Sequence, residues 1–297
     1  MKRMFGIVAA MAATGVAACS AKDAAKTDTT TPAQAAAPAA PASKASFDPA
    51  THVAVIHAKD FAFDSPDSIT AGWTTFHFVN DGPGLHHAQL VRLDSGKTVA
   101  DLQSALKVPG PLPHWIVEVG GPNAPDPSSQ TDATMNLEPG QYAFLCFVDI
   151  PNHEPHFSKG MVRGLRVLPG TATATSPEPT SDATVTLADY SFTIQGSLNA
   201  GKHTIKVVNK GPQPHEIELI RLAPGKTMKD IGEWFAKMDG PPPLSAIGGV
   251  AGFSAATTTY MTADLTPGNY AFICFIPDAK DGKPHVEHGM TKEFKVN

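Results

Sequence analysis

Three cysteines in 297 residues are too few for a disulfide-stapled scaffold. Charged side chains make up 17% of the chain and the net charge is −5. There is thus no basic excess to neutralise nucleic-acid phosphates, and a nucleic-acid partner is excluded. Aromatics are only 7%, while glycine (25) and proline (27) are plentiful, which favours turns and short strands over long helices. One apolar run stands out, Met4 to Ala18, and it falls short of the roughly 20 residues a membrane-spanning helix needs. There is no nucleophile elbow, no phosphate-binding glycine loop and no HExxH. At roughly 150 residues per domain the length suggests about two domains.

The start of the chain reads as an export signal. Met1-Lys2-Arg3 is basic, and the apolar run behind it has the length of a signal-peptide core. It ends in Val16-Ala17-Ala18-Cys19, which looks like a bacterial lipobox. The resemblance implies a signal peptide over 1–18 and lipidation of Cys19. The protein would then be held on a bacterial membrane, facing the periplasm or the cell exterior. Plain cleavage near Ala18 would instead release it to the periplasm. Residues 19–46 are mostly Ala, Pro, Thr and Lys without apolar periodicity, the composition of a disordered tether.

The rest of the chain is a duplication. Asp60-Phe61-Ala62-Phe63 matches Asp189-Tyr190-Ser191-Phe192, and Asn80-Asp81-Gly82-Pro83 matches Asn209-Lys210-Gly211-Pro212, both at an offset of 129. Gly120-Gly121 matches Gly248-Gly249, and Pro139 to Cys146 matches Pro267 to Cys274, at an offset of 128. Gly160-Met161 and Gly289-Met290 return to 129. The units run over 47–168 and 181–297, joined by a Pro/Thr-rich linker over 169–180. They carry net charges of −6 and −1; an acidic first unit hints at a basic partner protein.

Within each unit, β-branched openings at Val53 to Ile56 and Thr184 to Leu187 predict strands. So do Thr75 to Val79 and His203 to Val208, which run into Asn-x-Gly-Pro turns, and then His87 to Leu93 and Glu216 to Leu222. Thr98-x-x-Asp101 and Thr227-x-x-Asp230 read as capping-box-like helix starts. Ile231, Trp234, Phe235 and Met238 follow as one helical face, with a weaker version through Leu102, Ala105 and Leu106. Pro-Gly turns lead into Tyr142 to Cys146 and Tyr270 to Cys274, and last strands close the units at Val162 to Leu168 and Thr291 to Val296. The expected fold class is therefore mainly all-β: two tandem Greek-key β-sandwiches, each with a short helical insertion.

Each unit holds one cysteine at a strand end, then Pro-His-x4-Met, with a histidine upstream behind the Asn-x-Gly-Pro turn. The sets are His86, Cys146, His156 and Met161, and His215, Cys274, His285 and Met290. A thiolate, two imidazoles and a thioether are the donors of a blue copper centre. The soft sulfurs suit Cu(I), the imidazoles tolerate Cu(II), and a weak axial Met suits one-electron transfer.

These motifs resemble those of the cupredoxins of the plastocyanin and azurin type. Such proteins carry an Asn-x-x-Gly-x-x-His turn, a Tyr-x-Phe-x-Cys strand and a Pro-His-x4-Met loop, matched with small changes by Asn209 to His215, Tyr270 to Cys274 and Pro284 to Met290. The resemblance implies equatorial ligation by His215, Cys274 and His285 with Met290 axial, and by His86, Cys146 and His156 with Met161 axial. Up to two type 1 copper ions would be bound. The chain departs from familiar members in the Cys-to-His gap, which spans nine residues (Phe147 to Pro155) in one unit and ten (Phe275 to Pro284) in the other. The extra residues must loop outward for the site to close. His87, His153 and His288 are alternative donors nearby.

Two-domain copper enzymes link their metal sites through a histidine beside the ligand cysteine. Here the neighbours are Leu145 and Phe147, and Ile273 and Phe275. The expectation is therefore a carrier and not an enzyme: a membrane-tethered copper protein passing electrons to a partner protein. Two alternatives stay open, copper storage or delivery through the same donors, and a copper-free binding module with buried thiols or a Cys146–Cys274 disulfide.

Overall fold

The computed structural model describes residues 44–108, 110–150, 153–170, 176–237 and 240–297. The expected signal peptide, Cys19 and all but the last residues of the tether lie outside the described residues, as do 171–175 of the linker. Among the described residues no helix is long and apolar enough to cross a membrane.

The first unit contributes β1 (Ser46–Asp48), β2 (Val53–Lys59), β3 (Ala62–Asp64), β4 (Ser68–Thr70), β5 (Gly72–Asn80), β6 (Gln89–Leu93), α1 (Val99–Leu106), β7 (Ile116–Gly120), β8 (Gln130–Leu137), β9 (Gly140–Leu145) and β10 (Val162–Leu168). The second contributes β11 (Ala183–Ala188), β12 (Ser191–Gly196), β13 (Gly201–Asn209), β14 (His215–Leu222), α2 (Met228–Lys237), β15 (Leu244–Phe253), β16 (Thr258–Leu265), β17 (Gly268–Ile273) and β18 (Thr291–Val296). All the expected strands and both helices are present. Strands β1, β3, β4, β7, β8, β12, β15 and β16 are additional to those the sequence predicts.

One sheet runs β1-β2-β5-β8-β16-β13-β11-β12, with β3 on β2. The other runs β18-β17-β14-β15-β7-β6-β9-β10-β4. Each unit is a two-layered sandwich, and both sheets continue from one unit into the other. The seam is the antiparallel pairing of β8 with β16 (Thr134 opposite Tyr260, Asp132 opposite Thr262) and of β7 with β15 (Val119 opposite Phe253). All four strands of this seam are among the additional ones. Pairing edge to edge removes four open sheet edges, two from each unit, that would otherwise attract other chains.

The strands that carry the cysteines are covered on both faces. Side chains alternate along a strand, so Tyr142, Phe144 and Cys146 point into the main core while Ala143 and Leu145 face outward. There Leu102 of α1 covers them, and Ile231 of α2 does the same for Ala271 and Ile273. The helices thus seal the outer face of the sheet. The expected caps are formed: the Thr98 hydroxyl accepts from the Asp101 amide at 3.2 Å, and the Thr98 amide donates to the Asp101 carboxylate at 2.8 Å.

Candidate metal centres

The upstream histidine is placed by the Asn-x-Gly-Pro turn. The Asn80 side-chain amide donates to the carbonyls of Gly84 and Pro125 at 2.9 and 3.0 Å, and its oxygen accepts the Gly82 amide at 3.1 Å. Asn209 does the same with Gln213, Phe253 and Gly211. The turn packs against the imidazole it presents. A Cβ on Gly82 would lie 2.4 Å from His86 Nε2, and one on Gly211 2.5 Å from His215 Nε2, so only glycine leaves room for the rings.

The second histidine and the methionine come from one compact loop. In the first unit the His156 amide donates to the Val148 carbonyl (2.8 Å) and the Phe157 amide to the Cys146 carbonyl (2.9 Å). A short 3-10 turn over His156–Lys159 then ends at Gly160, whose φ of 102° is in glycine's favoured region. The Met161 amide closes back on the His156 carbonyl at 3.2 Å. The second unit repeats these bonds from His285 to Ile276, Val286 to Cys274 and Met290 to His285. Bridges between Asp149 and Pro155, and between Pro277 and Pro284, close the necks of the Cys-to-His segments, and in the second unit residues 278–283 loop out beyond that neck. In the second unit the outward loop that the sequence requires is what forms.

His86, Cys146 and His156 come together, as do His215, Cys274 and His285, with the donor atoms of each set within 4.8 Å of one another. His86 Nδ1 and His156 Nδ1 are 3.0 Å apart, and Cys146 Sγ is 3.4 Å from His156 Nδ1. In the second unit His215 Nδ1 and His285 Nδ1 are 3.0 Å apart, with Cys274 Sγ at 3.3 Å from His285 Nδ1 and 4.0 Å from His215 Nδ1. Five of these six side chains are fully buried, and the sixth, His156, is 5% exposed. Met161 and Met290 are fully buried in the same apolar cluster as the cysteines. Both cysteines are free thiols, so the Cys146–Cys274 disulfide is not formed.

The far side of each upstream imidazole is held by an aspartate that sequence reasoning gave no role. His86 Nε2 lies 2.7 Å from Asp60 Oδ1, and His215 Nε2 lies 2.8 Å from Asp189 Oδ1. Their signal was present in the sequence, as the repeated Asp-aromatic pair at an offset of 129. The aromatic partner, Phe61 or Tyr190, sets its ring edge-on to His156 or His285.

Burial sets the protonation. It pushes the Cys146 thiol up to about 12 and Cys274 well above its ordinary value, the latter with help from the nearby Glu216 carboxyl. Burial, then the neighbouring imidazole, holds His156 and His285 down to about 4. Burial also lowers His86 and His215, against the opposing pull of Asp60 and Asp189. The imidazoles are therefore neutral at pH 7, the form that binds metals. Two neutral imidazoles whose Nδ1 atoms face each other can share only one proton between them. A metal ion bonded at about 2.0–2.3 Å to such nitrogens and to a thiolate needs separations of roughly 3–4 Å, and the donors stand at that spacing. They fit copper, and the residues that would hold it are the two imidazoles, the thiolate and a methionine.

The alternative donors stand apart from these triangles. His87 is buried and turns the other way, its Nε2 accepting the Phe147 amide at 2.8 Å. His153 is exposed, within the loop excursion. His288 packs on Tyr190 and lies 3.2 Å from Asp281, in a separate group with Asp278.

The units differ around the second histidine. Asp278 accepts from the Tyr190 hydroxyl and the Gln213 amide. Burial raises this carboxyl, but these bonds and the Lys280 and Asp281 amides outweigh burial and hold it well below the carboxylate range. In the first unit the counterparts of Tyr190 and Gln213 are Phe61 and Gly84. Asp149 is buried with both oxygens unpartnered, and burial pushes it up to about 7.

No protein-family model matches the chain, and no curated protein sequence matches it. Among solved structures, reduced auracyanin from Roseiflexus castenholzii is 21% identical, aligning over 40% of this chain and 98% of its own at a TM-score of 0.27. Auracyanin B is 20% identical over 38% of this chain and 86% of its own, at 0.28. A multicopper oxidase is 12% identical over 86% of this chain and 98% of its own, at 0.24. These likenesses carry no argument here, and what the centres do is read from their own side chains.

Proposed function

We propose that the protein binds copper at two type 1 centres and carries single electrons, held to a bacterial membrane by a lipid on Cys19. The observation that carries this reading is the recurrence of one buried His-Cys-His triangle, with the same backing aspartate and the same closing Met loop, in both units. A site used only for packing has no need to present two neutral Nδ1 atoms and a thiol to one point.

Copper at such a site would supply a metal that alternates between two oxidation states. The chain's own residues do the rest. Asp60 and Asp189 fix the ring orientation of His86 and His215. The burial of the donors keeps water from the metal. Packing from two sheets and two helices holds the donors in place, so that little rearrangement accompanies a change of charge. No histidine flanks either cysteine, which supports a carrier over an enzyme.

A redox titration of the copper-loaded protein tests the reading. Reversible bleaching and return of an intense thiolate-to-copper band support electron transfer. Bound copper without such a band would mean storage or delivery instead.

A further inference from the structure

The side chain that follows each upstream histidine does something the donor set does not require. In the first unit it is His87, and its Nε2 accepts the Phe147 amide, one residue past Cys146, at 2.8 Å. In the second it is Glu216, and its Oε1 accepts the Phe275 amide, one residue past Cys274, at 2.7 Å. The two residues occupy equivalent positions in the repeat. Each is bonded through the chain to a histidine donor and through hydrogen to the peptide of the cysteine donor.

Asn123 joins these two arms. It is 4% exposed and sits at the seam, its amide donating to the Gly249 carbonyl of the other unit at 3.1 Å. Its side-chain nitrogen donates to Glu216 Oε2 at 3.2 Å, and its oxygen faces His87 Nδ1 at 3.4 Å. The amide of Ala124 donates to that same oxygen at 3.0 Å and fixes the orientation. The result is one chain of covalent and hydrogen bonds, from Cys146 through Phe147, His87, Asn123, Glu216 and Phe275 to Cys274. Phe147 and Phe275 line one cleft of about 770 Å³ between the units, so both cysteine ends face the same seam.

A buried polar side chain in an interface is costly unless it is fully bonded. A wholly apolar contact would have joined the two sheets as well, whereas this bridge connects the two donor sets. We propose that the two centres exchange an electron with each other across the seam, through the bridge whose central link is Asn123. This rests on both centres holding copper as proposed above. One electron leaves the reduced centre and reduces the oxidised one; no bond is broken, and each proton on the bridge stays on its own atom. The first electron comes from an external one-electron donor.

The test uses the copper-loaded full chain carrying Met161→Gln, which keeps an axial donor in the first unit while setting the two centres apart in potential and band. A radiolytic radical delivers less than one electron per molecule, and the redistribution between bands is followed. The expected result is a first-order phase whose rate does not depend on protein concentration. Asn123→Leu and the size-preserving Asn123→Asp slow or abolish it. Ser254→Ala, which removes a different bond across the seam (to the Glu118 carbonyl, 2.9 Å), leaves it intact. In the metal-free protein the Asn123 variants shift the amide resonances of both Phe147 and Phe275. If Asn123→Leu does not fold, Asn123→Asp carries the comparison. Equal rates in all variants, or redistribution that scales with protein concentration, overturn the bridge while leaving the copper reading standing. Absence of both copper bands overturns the copper reading and the bridge with it.

Discussion

Removing the carboxylate behind an upstream histidine should weaken one metal centre by an amount that depends on how firmly that carboxylate is held. In Asp189→Ala the fully buried His215 loses its partner on Nε2, a contact of 2.8 Å. Side chains that orient a metal-binding histidine in this way are worth 10–100-fold in affinity, or about 1.4–2.8 kcal/mol. Asp189 is 22% exposed and is itself gripped by Gln213 at 3.0 Å, which places its loss towards the upper end. Asp60 makes the matching contact to His86 at 2.7 Å but is 39% exposed. Its counterpart of Gln213 is Gly84, so Asp60→Ala should fall near the lower end. The assay is competition for Cu(I) against a coloured chelator, in Cys146→Ser and Cys274→Ser backgrounds that isolate one centre each. Asp189→Asn, which retains an oxygen acceptor, should lose less than Asp189→Ala. An unchanged affinity in a folded Asp189→Ala protein, or a larger loss from Asp60→Ala, would refute the reasoning.

Met290→Leu should retain copper in the second unit and shift its reduction potential, since a weak axial thioether tunes the metal without anchoring it; voltammetry of the Cys146→Ser protein reads this directly, and loss of copper would make Met290 a principal ligand. His77 hydrogen-bonds Asp132 at 2.6 Å across β5 and β8, and this bond raises its pKa above the ordinary value. Its contribution, under about 1 kcal/mol for a partly exposed pair, is present below pH about 6.5 and is lost as pH rises through the folded value. Denaturant melts from pH 5 to 8 should show that slope flattened in Asp132→Asn. Cys19→Ala should move the protein from the membrane fraction to the soluble one, and continued sedimentation with membranes would remove the lipid anchor from the account.

The duplication made the donor sets legible, because the same four residue types recur at nearly the same spacing in two otherwise diverged units. Strands of β-branched residues and the Thr-x-x-Asp helix starts were legible for local reasons: alternation and capping depend on near neighbours. The seam strands were not. β15 reads Leu-Ser-Ala-Ile-Gly-Gly-Val-Ala-Gly-Phe, poor in the residues that favour strands. Its glycines are there because the neighbouring backbone is close; a Cβ on Gly249 would meet the Ile217 carbonyl at 2.0 Å. That requirement is set by a strand far away in sequence. The roles of Asp60, Asp189, His87 and Glu216 were hidden for the same reason. Each acts on a partner at least 26 residues distant, which a local reading of the chain does not place beside it. The long Cys-to-His segments were the one visible departure from the motifs the sequence resembles, and backbone bridges close their necks.

Copper titration of the metal-free protein, followed by visible absorption and electron paramagnetic resonance, tests the central claim most directly. An intense thiolate-to-copper band that saturates at two equivalents, and at one equivalent in Cys274→Ser, is the predicted result. A folded protein that takes up no copper, or takes it up without that band and regardless of Cys146 and Cys274, would contradict it.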